Sequence, residues 1–359
     1  MGKFILAINP GSTSTKISLF EDLNQVFTHT LRHSNEELAP FETVAEQYEF
    51  RRDVIKAALT ENNIDIKSLD IVIGRGGLVM PIPSGAYEVN DLMAEHLRAG
   101  IKGEHASNLG GLIAKELAKD AGGVKAIIAD PVVVDEFEPV ARISGNALIE
   151  RSSVFHALNQ KAIAKLHAAK EGKSYDKMNI IVAHLGGGVS VGIHKAGKVV
   201  DVNDAIGGEG CFSPERSGGM PLMPIVDLCF SGKYSLKEVK KMISGEGGLN
   251  SYVGINAFNE VLKLANEGNE KALAITQAFE YQLAKEIGAM STVVSGKVDA
   301  ILVTGGIAYN TELINNVRDR VSFIAPLYIY PGEDEMGALA AYGLGVLNST
   351  EELKVYSAC

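Results

Sequence analysis

An apolar strand that runs straight into a turn of glycine, serine or threonine occurs three times in this 359-residue chain. Residues 4–20 bend at Asn9-Pro10-Gly11-Ser12-Thr13-Ser14-Thr15-Lys16, residues 180–192 bend at His184-Leu185-Gly186-Gly187-Gly188, and residues 300–308 bend at Gly305-Gly306-Ile307. The first two resume as strands and read as hairpins. A turn of this composition bares backbone N–H groups, and a cluster of bared N–H groups holds phosphate. Two such hairpins facing each other across a cleft would grip a polyphosphate from both sides, which points to a nucleotide-dependent phosphotransferase. Their recurrence near positions 4 and 180 also suggests a duplicated core. The expected fold is α/β, with two related lobes and mixed sheets. Residues 1–149 would form the first lobe, completed by a C-terminal helix within 336–359, and residues 150–335 the second.

Composition narrows the classes. Hydrophobic content of 46% and charged content of 22% are those of a globular chain. The net charge of -10 comes without a basic stripe, which argues against a nucleic-acid partner. An acidic surface does not draw anions, so any anion site must be a local cluster of Arg, Lys and backbone N–H. Cys211, Cys229 and Cys359 are scattered and form no CxxC pair. That suits a reducing cytoplasm and argues against a disulfide scaffold or zinc site. No apolar run approaches the ~18 residues of a membrane span. The apolar opening stops at Asn9-Pro10 and reads as a strand, not a signal peptide. Leu6 stands where myristoylation needs Ser or Thr.

Apolar spacing predicts helices over 40–59, 91–98, 107–121, 157–170, 224–230, 236–243, 257–265, 270–295, 312–322 and 335–347. Further strands are expected at 71–73, 87–89, 126–129 and 327–330. The strand at 126–129 delivers Asp130 at its C-terminal end, and the helix at 157 opens just after His156.

The run from Asn9 to Lys16 resembles the first signature of the acetate and butyrate kinases, and Ile180-Ile181 with His184-Leu185-Gly186-Gly187-Gly188-Val189-Ser190-Val191 resembles their second. The resemblance covers nearly the whole chain. It is nearest to the butyrate kinases at Gly74-Arg75-Gly76-Gly77-Leu78, Glu104-His105-Ala106-Ser107-Asn108-Leu109-Gly110 and Phe212-Ser213-Pro214-Glu215-Arg216-Ser217-Gly218. It implies the duplicated, ribonuclease H-like fold shared with actin, Hsp70 and sugar kinases. It also implies ATP/ADP, Mg²⁺, a short-chain acid such as butyrate as acceptor, and a homodimer or higher homo-oligomer. The apolar helix at 270–295 is the expected interface.

The implied chemistry says which residues to seek. A carboxylate attacks the γ-phosphorus of ATP and gives an acyl phosphate. Carboxylic acids have pKa values around 4, so the nucleophile is already ionised and no general base is required. The difficulty is bringing two anions together, so cations and N–H donors should dominate. By the resemblance, Arg216 bridges the acceptor carboxylate and the phosphoryl group, and His156 donates a hydrogen bond to the group in flight. Asp130 matches the family's catalytic Asp; given an ionised acceptor, it would hold Mg²⁺ or orient His and Arg rather than act as a base. Asn9, Ser12, Ser14 and Lys16 touch the γ-phosphate and metal. Taken alone, Asn, Gly and Ser are ordinary turn formers. His184 supports the second loop, Gly186, Gly187 and Gly188 bind phosphate, and Gly305, Gly306 and Ile307 form the adenosine loop. Glu335 is the expected metal-linked acid within Glu333-Asp334-Glu335. Arg75 and His105 lie near the acceptor, with Val132, Val133 and Phe155 along its tail.

Gly187 stands where the acetate kinases carry Asn, which leaves more to backbone N–H groups. Ala205-Ile206-Gly207-Gly208-Glu209-Gly210 is less bulky than the acetate kinases' stretch ahead of the arginine, which suggests room for a four-carbon acid. Leakage to propionate, valerate and isobutyrate is expected, since pockets discriminate by only ~1–3 kcal/mol per methylene. Two other classes stay open. One is a sugar kinase of the same superfold, which would use an Asp base. The other is an ATP-dependent binding module of the Hsp70 or actin type.

Overall fold

The computed structural model describes residues 2–357. Cys359 lies outside them. The chain divides into two compact units, one running to Val134 and taking up the chain again from Asp334, the other spanning Asp135–Glu333. Strands β1 (Phe4–Pro10), β2 (Ser14–Glu21), β3 (Asn24–Arg32), β4 (Ile71–Arg75), β5 (Ala86–Glu88) and β6 (Lys125–Ala129) belong to the first unit. Strands β7 (Ile143–Asn146), β8 (Ile149–Glu150), β9 (Ile180–Leu185), β10 (Val189–Lys195), β11 (Lys198–Val202), β12 (Ala300–Gly305) and β13 (Leu327–Pro331) belong to the second, and β14 (Leu353–Val355) returns to the first.

In the first unit the sheet order is β14-β5-β6-β4-β1-β2-β3. Strands β1, β2 and β3 form an antiparallel meander, while β4 and β6 continue in parallel from β1. Ile5, Leu6, Ala7 and Ile8 are all buried, as a strand covered on both faces requires. Leu6 and Ile8 join the core that contains Leu109, Leu112 and Ile113 of the helix Asn108–Asp120. Ile5 lies against Gly343 of the helix Glu335–Leu347. That last helix packs on the first unit's sheet and belongs to that unit.

The second unit repeats the plan with the order β11-β10-β9-β12-β13. Its meander is β9, β10 and β11, and β12 and β13 follow in parallel. Ile180 and Val182 pack on Ala164 and Ala168 of the helix Ala157–Lys170. On the other face, Ile181 and Ala183 share a core with Phe279, Leu283 and Ile287 of the helix Glu270–Thr292. The expected duplication is thus present in strand order as well as in sequence.

Several expectations need correction. The helix placed at 40–59 starts only at Tyr48, after a 3-10 turn at Ala45–Gln47. The Glu46 carboxylate accepts the N–H groups of Glu42 and Thr43 and turns the chain there. On the helix expected at an oligomer interface, the stripe Ala272, Ile275, Phe279, Leu283 and Ile287 faces its own unit's core, while Leu273 and Tyr281 are exposed. Exposed apolar side chains gather on the helix Leu222–Phe230, where Leu222, Met223 and Phe230 stand out. The division falls at Val134/Asp135 rather than 149/150. Residues just after it are tied into the second unit by Lys161–Glu136 at 2.8 Å and by the Glu138 N–H on the Val200 carbonyl. Strands β3, β7, β8, β11 and β14 were not anticipated: β3, β7, β8 and β14 are mostly exposed or half-buried and carry little apolar period, and β11, though it buries Val199, Val200 and Val202, is only five residues long.

Candidate active-site residues

In the first unit the β1–β2 turn presents the first loop. Its carbonyls are all held from behind. The Arg51 guanidinium donates to the carbonyls of Gly11 (2.7 Å), Ser12 (2.8 Å) and Ser14 (3.0 Å). The His33 N–H takes the Thr13 carbonyl, and the Gly11 N–H closes the turn on Ser14. Ser12 and Thr13 are exposed, and their N–H groups make no hydrogen bond among the described residues. This is an anion-binding arrangement of bared amides. Lys16 is exposed on β2 directly opposite Asn9 on β1, so the two share a sheet face.

Asn9, Arg75 and Glu335 form one cluster. Arg75 Nη1 stands 2.8 Å from Glu335 Oε1 and donates to Asn9 Oδ1 at 3.3 Å. Asn9 Nδ2 donates to Glu335 Oε2. The three neighbouring acids have separate partners. Glu333 contacts His184, Asp334 caps the last helix by accepting the Gly337 N–H at 2.8 Å, and Glu335 opens that helix beside Asn9.

Asp130 is buried at the end of β6 with φ at 36°. Its Oδ1 accepts the Gly85 N–H at 2.8 Å, and its Oδ2 accepts the Tyr342 hydroxyl. Burial and this carboxylate push the Tyr342 hydroxyl well above its ordinary pKa. Asp130 thus ties the last helix, which carries Glu335, to the sheet. His105 is exposed, and its Nδ1 pairs with Ser107 Oγ at 2.8 Å where the next helix begins. Val132 is half-buried against the first unit's core.

In the second unit the β9–β10 turn is built around Arg216. A Cβ on Gly188 would lie 1.9 Å from Arg216 Nη1, so the guanidinium rests on the face of that glycine. Arg216 Nη1 donates to the Ala205 carbonyl at 2.7 Å. Burial lowers the Arg216 pKa, and Glu215 and Asp204 oppose that shift. The Gly187 carbonyl accepts Ser213 Oγ–H at 2.7 Å and the Gly188 carbonyl accepts the Gly186 N–H at 3.0 Å. A Cβ on Gly187 would meet nothing within 4 Å, so the Asn of the acetate kinases would have room here.

His156 and His184 stack with ring centroids 3.7 Å apart and planes 11° from parallel. His184 Nδ1 pairs with Asn159 Oδ1 at 2.8 Å and its Nε2 with Glu333 Oε1 at 3.1 Å. His156 Nδ1 meets Ser190 Oγ at 2.9 Å, and Ser190 Oγ accepts from Gln160 Nε2 at 2.8 Å. Gln160 Nε2 also donates to the Ser190 carbonyl, which fixes its amide orientation. In the tautomer in which Ser190 Oγ–H donates to His156 Nδ1, the ring's own N–H lies on Nε2.

Gly305 has φ at 89°, and a Cβ there would fall 2.3 Å from the Leu185 carbonyl oxygen, so the third turn closes against the end of β9. Gly306 is exposed, whereas the Ile307 side chain is buried in the core, so only its backbone is left for a ligand. Phe155 is buried, and the Ala205 N–H bonds the carbonyl of its neighbour Val154 at 2.9 Å.

The structure therefore groups Asn9, Ser12, Ser14, Lys16, Arg75 and Glu335 in one unit, and His156, His184, residues 186–188 and Arg216 in the other. Sequence reasoning missed Arg51, Gln160 and Ser190. Arg51 sits in a helix of ordinary amphipathic spacing, and nothing local marks it. Among the described residues no group of three or more His, Cys, Asp or Glu could hold a metal ion. The oxygens of Glu335 and Asn9 are engaged by Arg75 and the Asn9 amide, so a Mg²⁺ arriving on nucleotide phosphates would have to displace those donors to reach them.

Comparison with known proteins shows the family and the fold. A family model described as the Acetokinase family matches residues 143–350. Butyrate kinase 1 of Clostridium acetobutylicum is 54% identical over 98% of this chain and 99% of its own length. In fold, the chain is similar to the Porphyromonas gingivalis acetate kinase, with TM-score 0.79 and 19% identity over 96% of this chain and all of that one. It is also similar to a propionate kinase from Francisella tularensis, with TM-score 0.74 and 18% identity over 95% of this chain and 98% of that one. The duplicated α/β architecture is that of these kinases, and this chain belongs to the acetokinase family.

Proposed function

We propose that the chain transfers the γ-phosphoryl group of ATP directly, in line, to butyrate, giving butyryl phosphate and ADP. The observation that carries this reading is the Arg216 guanidinium lying on Gly188 of the second loop, so that a planar double donor and a phosphate-binding turn occupy one place. Arg216 neutralises the approach of an ionised acceptor and the charge on the equatorial oxygens. His156 Nε2–H donates to the transferring group. The bared amides of Ser12 and Thr13 and the glycines 186–188 take the phosphates, with Lys16 and Asn9 beside the first loop. Gly305, Gly306 and the Ile307 backbone receive the adenosine. Mg²⁺, held through Glu335 and Asn9, would shield the phosphate charge.

Asp130 acts by position, since both its oxygens already accept hydrogen bonds. The sugar-kinase alternative needs an Asp base for a neutral hydroxyl, and Asp130 so engaged is poorly suited to it. Arg75, His105, Val132 and Phe155 would define the acceptor's surroundings. Ala205, small and bonded to Arg216, leaves room for a longer tail. No helix among the described residues is long and apolar enough to cross a membrane. We place the reaction in the cytoplasm, where Cys211 and Cys229 remain thiols, and the assembly as a homodimer or higher homo-oligomer. Measuring kcat/KM for acetate, propionate, butyrate, isobutyrate and valerate tests the reading. Butyrate should lead, with neighbours within ~1–3 kcal/mol per methylene, and a clear acetate preference refutes the pocket argument.

A further inference from the structure

The Arg51 side chain is 1% exposed. The polar partners it has among the described residues are carbonyls, a hydroxyl and the Gln47 amide, with no carboxylate. Burial lowers its pKa to about 10. An arginine buried without an acid is costly and is retained where its fork of donors does something an apolar side chain cannot. Here Nη1 reaches the carbonyls of Gly11 and Ser14 and the Thr15 hydroxyl at 3.2 Å, while Nη2 reaches the Ser12 carbonyl and Gln47 Oε1 at 2.7 Å. Thr15 Oγ1 is also held by His33 Nε2 at 2.9 Å, and the His33 N–H holds the Thr13 carbonyl.

The consequence is directional. A peptide unit whose carbonyl is turned inward presents its N–H outward. With the Gly11 and Ser12 carbonyls both engaged by Arg51, the N–H groups in the same peptide units, those of Ser12 and Thr13, face away from it. The guanidinium also puts a positive charge behind the turn, which favours an anion in front of it. We propose that Arg51 is a positioning residue that holds the first loop in its phosphate-receiving form without itself touching the nucleotide. The proposal rests on the reading of that loop as an ATP phosphate site.

The test uses the full chain with Arg51→Met and Arg51→Lys. Lysine keeps the charge but cannot engage both Nη positions. The expected result is a KM for ATP raised on the order of 10-fold in Arg51→Met and less in Arg51→Lys. The KM for butyrate should stay close to wild type. AMP-PNP, titrated calorimetrically, should weaken in the same order, and amide exchange at Ser12 and Thr13 should change. In Arg51→Ala, millimolar methylguanidine should restore part of the ATP affinity. An unchanged KM for ATP in either folded variant overturns the proposal. So does an equal loss for ATP and butyrate without methylguanidine rescue, which marks a merely structural role. If Arg51→Met does not fold, Arg51→Lys decides by the same criteria. If the wild type makes acyl phosphate from no acid, the functional reading fails, while the AMP-PNP titration still judges Arg51.

Discussion

At the scale of single residues, the second loop makes opposite demands on adjacent glycines. Gly188→Ala would push a methyl into Arg216 and displace its guanidinium. Turnover should fall on the order of 10²-fold with little change in melting temperature, since a small misplacement of a reacting group is that costly. Gly187→Asn should fold normally, because its Cβ enters open space, and steady-state kinetics should show KM for ATP unchanged or lowered. Arg216→Ala should reduce kcat about 10³-fold or more, as removal of a transition-state arginine does, while circular dichroism stays native. The glycines, Arg216 and His156 were legible because they stand in motifs read in order along the chain. Arg51 was not, because its role depends on a helix some forty positions away folding behind the loop. The acid run was only partly legible. Sequence placed three acids together, and only the helix start at Glu335 shows that Asp334 is a cap.

At the scale of elements, most helices followed from apolar spacing, and the helices Ala157–Lys170, Leu236–Ile243 and Glu335–Leu347 match their expected bounds. The exposed strand β3 escaped because an edge strand buries little and so needs no apolar alternation. Two elements invite stability tests. The helix Glu335–Leu347 is clasped by Asp130 through Tyr342. Tyr342→Phe leaves a buried carboxylate oxygen without that donor and should cost about 1–3 kcal/mol. A melting temperature lowered by several degrees, with a smaller loss of kcat than Arg216→Ala shows, is the expected outcome. On β10, His194 is fully buried between Tyr175 and Gln160, and burial with Lys161 nearby holds its pKa well below the usual value. Below pH 6.5 the unfolded chain binds a proton there that the folded chain refuses. Stability should therefore fall as pH falls below about 6.5, by at most ~1.4 kcal/mol per pH unit from this group. Denaturant titrations at pH 7.5 and 5.5 should show a smaller difference in His194→Gln than in the wild type.

At the scale of the whole molecule, the five strands of the second sheet repeat the order of β3, β2, β1, β4 and β6 in the first, which adds β5 and β14, and this is why a sequence with two similar hairpins could be read as a duplicated α/β chain. The division point was harder to read, because residues 135–149 carry no strong apolar period and are tied to the second unit by ion pairs such as Lys161–Glu136 and Lys195–Glu138. An apolar stripe on a helix looks the same in sequence whether it covers its own sheet or another chain, and the stripe of the 270–292 helix covers its own sheet. The exposed Leu222, Met223 and Phe230 are the better candidates for burial in an oligomer. Leu222→Glu with Phe230→Glu should lower the mass measured by light scattering, and an unchanged oligomer would place the interface elsewhere. The most direct measurement of the central claim is hydroxylamine trapping of the product formed from ATP and butyrate, alongside ADP release, in the wild type and in Arg216→Ala. Butyryl hydroxamate should appear in step with ADP in the wild type, and both should nearly vanish in the variant. ADP released without hydroxamate, or hydroxamate formed equally well without the guanidinium at 216, would contradict the account.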